Sequence, residues 1–336
     1  MTGIVDVGGG MRGVFSAGIY DRFIEEGINF DLCIGVSAGS ANLISYAAGH
    51  HDRVKRFYVN YAQRKQYMSF DNFIHSGSYI GLDYIYSTIS NSDGEDPLNY
   101  DAFTANHTDF ITVVTDGETG EPIYFPKNSI KRDDLTVIKA SCCLPAVCKP
   151  IVIDGKDCFD GGISDPIPFQ KAFDMGCDKV IVVISKPVDY RKSPQKHMQI
   201  IKVALKKYPK VFDRLAVRHE VYNRQLEEAI KLQEQGKVII LAPQDCYGVN
   251  TLTREPAALE KLYEEGRRCA DEQLREIQAP GARTAEFNYT GVLTLRYFLF
   301  NNANATHGFN MTRNAKIAFH RFDKSFGLLC RKSIKR

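Results

Sequence analysis

Apolar residues follow two rhythms along this chain. Ile4-Val5-Asp6-Val7 is a short apolar, β-branched run that breaks at Gly8-Gly9-Gly10, the pattern of a buried strand entering a tight loop. From Gly13 to Glu26, apolar and small residues recur at Val14, Phe15, Ala17, Gly18, Ile19, Phe23 and Ile24, with Gly27 where a helix should stop. Asp31 to Val36 predicts a second strand. Ala38 to Ala48 is rich in small residues and ends at Gly49, which predicts a closely packed helix. Strand–helix–strand–helix within fifty residues is the signature of a parallel sheet with crossover helices.

The pattern continues less regularly. Phe110–Val114 and Pro122–Phe125 flank Asp116-Gly117-Glu118-Thr119-Gly120 and predict a hairpin. Asp134 to Cys142 predicts a short helix. Ile151–Ile153 and Cys158-Phe159 flank Asp154-Gly155, a second hairpin signal. Lys179–Ser185 and Lys237–Leu241 read as buried strands, and long helical patterns cover about 196–235 and 255–277. No internal repeat appears. The first clear break is Ala279-Pro280-Gly281, so the expected division is one α/β body over 1–278 and an extension over 279–336.

Composition narrows the class. The chain has 336 residues, 44% hydrophobic and 25% charged, too apolar for general disorder. No stretch approaches 18 uncharged apolar residues, so no membrane-crossing helix is expected. The start lacks a basic, then apolar, signal pattern, and secretion is not expected. Nine cysteines show no CxxC pair. Cys142, Cys143, Cys148 and Cys158 cluster, but not at zinc spacing, and they read as reduced thiols of a cytoplasmic protein. The net charge of +3 hides an asymmetry. Residues 280–336 hold 10 Lys+Arg against 2 Asp+Glu, which leaves 33 basic and 38 acidic residues in the body. A mildly acidic body argues against nucleic acid as a partner.

Three segments carry chemistry. Gly35-Val36-Ser37-Ala38-Gly39 fits G-x-S-x-G where a strand meets a helix. A nucleophilic serine needs a sharp turn, and glycines at Gly35 and Gly39 remove side chains that would clash in it. The following helix points free N–H groups at the same place. Gly8-Gly9-Gly10-Met11-Arg12-Gly13, also between strand and helix, exposes backbone amides that can hold a phosphate or an oxyanion. The same string satisfies the dinucleotide fingerprint G-x-G-x-x-G, with Asp31 18 residues after Gly13. Against that rival, the second strand runs on into a serine elbow that a dinucleotide site does not need. Phe159-Asp160-Gly161-Gly162 leaves one carboxylate unobstructed. Alone, such a string is usually just a turn.

Taken together, in this order, the Gly8–Gly13 loop with Arg12, the Ser37 elbow and Asp160-Gly161-Gly162 resemble the patatin-like phospholipase family, over about residues 3–278. The Ala140-Ser141-Cys142-Cys143-Leu144-Pro145 segment is similar to that family's small-residue segment before a proline. The resemblance is nearer to bacterial stand-alone members than to plant storage patatins. It implies a three-layer α/β/α sandwich with a mostly parallel central sheet. It also implies a serine acyl hydrolase, cleaving fatty-acyl esters of lipids through a Ser–Asp dyad and an acyl-enzyme. In that reading Ser37 is the nucleophile and Asp160 the base. Gly8, Gly9, Gly10 and the Arg12 amide form the oxyanion hole, while the Arg12 side chain braces the loop or meets an anionic head group. No metal or other cofactor is implied. The expected partner is a lipid acyl ester, with transient contact at the inner membrane surface when that ester is a membrane lipid. A lipid-binding regulatory member lacking strong activity is the other family reading.

The histidines bear on the dyad. A triad in the α/β-hydrolase order needs a histidine after Asp160: His197, His219, His307 or His320. The first two lie in a charged helical stretch and the others in the basic extension, so all four are expected at the solvated surface. Tyr79–Tyr86 is aromatic and apolar, and predicts either core packing or an acyl-chain wall. The extension beyond Pro280 reads as an added substructure, an anionic-surface binder or a disordered tail.

Overall fold

A computed structural model describes residues 1–278, so the expectations for the extension, including His307 and His320, lie outside the described residues. The strands are β1 (Thr2–Asp6), β2 (Leu32–Val36), β3 (Asp109–Asp116), β4 (Pro122–Pro126), β5 (Ile151–Ile153), β6 (Lys156–Asp160), β7 (Lys179–Val183) and β8 (Val238–Leu241). They form one sheet in the order β5-β6-β3-β2-β1-β7-β8, with β4 also on β3. The β3–β2–β1–β7–β8 core is parallel, and β4, β5 and β6 join antiparallel.

Side chains alternate across the parallel strands, as the pleat requires. Ile4, Cys33, Phe110, Ile181 and Ile239 share a core with α1 (Val14–Glu25), α2 (Ala38–Ala47) and α10 (Pro256–Gln278). Val5, Ile34, Val113, Val182 and Val238 face the other way, onto α7 (Phe169–Asp174) and α9 (Pro209–Glu234). A sheet with both faces buried needs apolar residues at every position, which explains the unbroken runs in the sequence. The result is the three-layer α/β/α sandwich that was expected.

Between β2 and β3 run three short helices, α3 (Arg53–Val59), α4 (Phe70–Ser76) and α5 (Tyr100–Ala105). The sequence reading did not resolve them, because two turns or fewer leave no readable period. Thr136–Ser141 forms α6 inside the expected short helix. The pattern over 196–235 divides into α8 (Met198–Ala204) and α9. The break is at Pro209, which occupies the first turn of α9 and forces Tyr208 out of helical geometry, at φ −126° and ψ 63°.

Candidate functional site

The register of β3 brings distant residues together. β2 ends with Val36 opposite Val113, and β3 runs on for three residues past that point. That overhang pairs with β6, which sets Asp160 opposite Val114. The residue after Val36 and the last residue of β6 therefore meet at adjacent positions of one strand, although 123 residues separate them in the chain.

Ser37 sits at φ 55° and ψ −134°, between β2 and the first turn of α2. Such a backbone state is strained for a residue with a side chain, and it turns the hydroxyl outward. Its neighbours hold it there. The Ser37 N–H donates to Ser141 Oγ at 2.9 Å, and the Ser141 hydroxyl donates to the Val113 carbonyl at 2.7 Å. A methyl group at Gly39 would lie 2.3 Å from the Asp6 carbonyl oxygen, and one at Gly35 2.3 Å from Ser40 Cα. The two elbow glycines are thus sites of backbone contact, as the motif requires.

Asp160 is fully buried. Its Oδ1 accepts from the Gly162 N–H at 2.8 Å, its own N–H donates to the Cys143 carbonyl at 2.9 Å, and Thr115 Oγ1 donates to its carbonyl at 2.8 Å. Oδ2 is buried without a hydrogen-bond partner. Burial pushes the carboxyl pKa up, against the opposing pull of the Arg218 charge, the Ser37 hydroxyl, the Gly162 amide and the Lys192 charge. Ser37 and Asp160 both line the larger cavity, and the two make no hydrogen bond of regular geometry.

The glycine loop has a division of labour that the sequence reading missed. The Gly8 N–H donates to Asp6 Oδ1 at 2.8 Å, while Tyr20 donates to Asp6 Oδ2 at 2.9 Å. The Gly8 amide is therefore committed to holding the loop, which narrows the expected donor set. The N–H groups of Gly9 and Gly10 have no acceptor among the described residues and border the cavity. Asp6 itself is buried, and desolvation pushes its pKa up to about 6. The Arg12 side chain reaches Thr251 Oγ1 at 3.3 Å, with its Nε buried and unpartnered.

Two cavities meet at Ser37. One, of about 450 Å³, is lined by the Gly8–Gly10 loop, Arg12, Asp160, Lys192, Arg218 and His219 among others. The second, of about 60 Å³, is apolar. Met11, Met68, Ile80, Leu82, Ile85 and Tyr86 are among its walls. The Tyr79–Tyr86 stretch thus serves both expectations: Ile85 belongs to the core, and its neighbours form a wall beside Ser37.

One expectation needs correction. His219 is not a solvated surface residue. Its side chain is 18% exposed, it lines the larger cavity, and its Nδ1 is buried without a partner. It occurs on α9, whose inner face packs against the sheet, and one helix turn from Leu215 it follows that face inward. His197 is exposed as expected. Asp31 bears on the dinucleotide rival, which the serine elbow already opposed. It precedes β2 and accepts from the Thr2 N–H at 2.6 Å, at the end of the sheet opposite the glycine loop. It cannot reach a ribose bound over that loop, which removes the acidic partner of the dinucleotide reading.

The family model described as patatin-like phospholipase matches residues 7–173. This chain carries a patatin-like phospholipase domain over residues 7–173. A second model, for a domain of unknown function, matches residues 208–279. The chain is 26% identical over 275 residues to the uncharacterized protein YjjU of Escherichia coli (strain K12), which covers 79% of this chain and 75% of that one. It is also 26% identical over 175 residues to uncharacterized NTE family proteins of Mycobacterium tuberculosis and Mycobacterium bovis. That match covers 52% of this chain and 46% of theirs, so the chain spans about half the length of those relatives. Among solved structures, VipD from Legionella pneumophila matches with a TM-score of 0.42 at 14% identity, over 82% of this chain and 66% of that one. The patatin-like domain supports lipid acyl hydrolysis in general. Lys192, Arg218, His219 and Thr251 all fall outside the patatin-like match.

Proposed function

We propose that this protein is a serine acyl hydrolase that cleaves fatty-acyl esters of lipids, with Ser37 as nucleophile and Asp160 as general base. The observation that carries the reading is the placement of a strained, outward-turned serine beside a buried carboxylate, at the junction of a polar and an apolar cavity. The acyl chain enters along Ile80, Leu82 and Tyr86. Ser37 Oγ attacks the ester carbonyl as Asp160 Oδ2 takes its proton. The Gly9 and Gly10 amides face the developing oxyanion, and each such donor is worth about 3–4 kcal/mol in comparable sites. The alcohol departs with a proton returned from Asp160, and water then attacks the acyl-enzyme with Asp160 again as base.

Two features support transient contact with a lipid surface. Phe70 and Ile74 on α4, and Ile200 and Val203 on α8, expose large apolar side chains. Ile201, next to Ile200, lines the main cavity. Among the described residues no helix is long and apolar enough to cross a membrane.

A second reading makes His219 the base, because it lines the same cavity with an unpartnered Nδ1. Hydrolysis of a medium-chain nitrophenyl ester separates the two. Ser37→Ala and Asp160→Asn are each expected to lose about 10³-fold or more in kcat, and His219→Gln to keep the pH profile of the wild type. Full activity in Asp160→Asn, together with loss in His219→Gln, overturns the dyad.

A further inference from the structure

The glycine loop has no regular structure of its own to hold it. Gly8, Gly9 and Gly10 all take positive φ, at 65°, 134° and 61°, so the shape of the loop depends on what its ends touch. At the far end the Met11 N–H donates to the Thr251 carbonyl at 3.1 Å. At the near end the Gly8 N–H donates to Asp6 Oδ1 at 2.8 Å. The two amides between these anchors, those of Gly9 and Gly10, are the pair assigned above to the oxyanion. Asp6 also lies against the other half of the site. A methyl at Gly39 would sit 2.7 Å from both the Asp6 carboxyl carbon and Oδ1, so the carboxylate is wedged between the loop and the first turn of α2. Asp6 is only 1% exposed, and burying a charge in such a place is costly. A neutral side chain such as asparagine could accept from the Gly8 N–H without that cost.

We propose that Asp6 is a positioning residue: by gripping the Gly8 N–H beside the elbow, it aims the Gly9 and Gly10 amides at the place where the oxyanion forms. The inference rests on the hydrolase reading above and adds a control of the same site. A hydrogen bond to an ionised acceptor is shorter and roughly twice as strong as one to a neutral acceptor. The grip is therefore firm when Asp6 is ionised and slack when it is protonated. Desolvation pushes its pKa up to about 6, against the opposing pull of the Gly8 amide, Tyr20, Ser16 and Asn42. The titratable groups on the elements around it are Tyr20 of α1, Cys33 of β2 and Tyr58 of α3, and burial keeps all three protonated. Arg12, the cation of the same loop, reaches Thr251 Oγ1. The charge on Asp6 thus rests on hydrogen bonds from Gly8 and Tyr20 rather than on an ion pair. The loop is set above about pH 6 and slackens below it, which makes oxyanion stabilisation acid-sensitive independently of Asp160.

The test follows hydrolysis of a medium-chain nitrophenyl ester across the acid and neutral range in the wild type, Asp6→Asn and Tyr20→Phe, with circular dichroism to confirm folding. Asparagine keeps an acceptor for Gly8 but carries no charge. Asp6→Asn is expected to lower the plateau of kcat about tenfold and to leave KM nearly unchanged, because the loop meets the transition state rather than the bound ester. It should also remove the acid-side step near pH 6. Tyr20 lines neither cavity. Tyr20→Phe strips one donor from the carboxylate, so the step is expected to move to higher pH by about half a unit or more, with the plateau kept. An Asp6→Asn profile equal to that of the wild type overturns the proposal, as does a loss confined to KM. An unmoved step in Tyr20→Phe also overturns it, and decides the matter if Asp6→Asn fails to fold. A second readout needs no turnover. In the Ser37→Ala background, hydrogen exchange of the Gly8 amide at about pH 8, read by mass spectrometry, should speed up several-fold on adding Asp6→Asn, and unchanged exchange contradicts the grip. A wild type that cleaves no ester, while exchange still responds to Asp6, sinks the hydrolase reading alone and leaves the loop anchor standing.

Discussion

At the scale of single residues, the site depends on side chains held in costly states. Ser37 occupies a backbone conformation that costs a residue with a side chain on the order of 1–3 kcal/mol, and Ser141, Gly39 and the end of β3 keep it there. Asp160 is buried, so its charged form depends on Arg218 nearby. As the proposed base it works only when ionised, and its pKa is already raised by burial. Removing the Arg218 charge raises it further. In Arg218→Gln the acidic limb of kcat is therefore expected to move to higher pH, by about half a unit or more. Arg218→Lys should move it less, and an unmoved limb in Arg218→Gln contradicts this electrostatic role. Ser37 and Asp160 were legible in the sequence because each lies in a glycine-flanked string with a steric reason. Arg218, Lys192 and His219 were not, because one basic residue on a charged helix or loop looks the same whether it faces solvent or a cavity. Asp6 was hidden for another reason: inside an apolar strand run, nothing marks it as the anchor of the Gly8 amide.

Among the elements, β3 does the most to build the site. It carries β2 and the elbow along one stretch and β6 with Asp160 along the next. The strands themselves were readable from their apolar runs, but register was not, since it depends on pairings between residues far apart in the chain, Val36 with Val113 and Val114 with Asp160. The Ser37 turn also depends on how closely α2 approaches β1. An added methyl at Gly39 would lie 2.3 Å from the Asp6 carbonyl and 2.7 Å from the Asp6 carboxyl carbon. Gly39→Ala is expected to cost about 1–3 kcal/mol by overpacking and to lower activity far more than that loss of stability explains, because the displaced segment carries the proposed nucleophile. Denaturant unfolding and ester hydrolysis, measured on the same sample, check both parts. A variant as active as wild type shows that the close approach is dispensable.

Over the whole molecule, the regions matched by the two family models form one body. The described residues lie in one compact unit. Helix α10 crosses α1 so tightly that a methyl at Gly266 would lie 2.0 Å from the Phe15 carbonyl, and one at Gly18 2.0 Å from the Tyr263 carbonyl. Glu25 on α1 ties to Arg267 on α10 across the same contact. Neither glycine announced this in the sequence, since a glycine within a helical pattern shows no sign of which helix will cross it. Thermal unfolding is expected to show a single transition for this body, lowered by several degrees in Gly266→Ala. Two separate transitions, of which only one responds, contradict the shared core.

The central claim is that the hydroxyl of Ser37 is an activated nucleophile, and covalent capture tests it most directly. Incubation with a fluorophosphonate, followed by peptide mass spectrometry, is expected to place one adduct on Ser37. Labelling should be strongly slowed in Asp160→Asn and absent in Ser37→Ala. An adduct on another residue, or undiminished labelling in Ser37→Ala, contradicts the account.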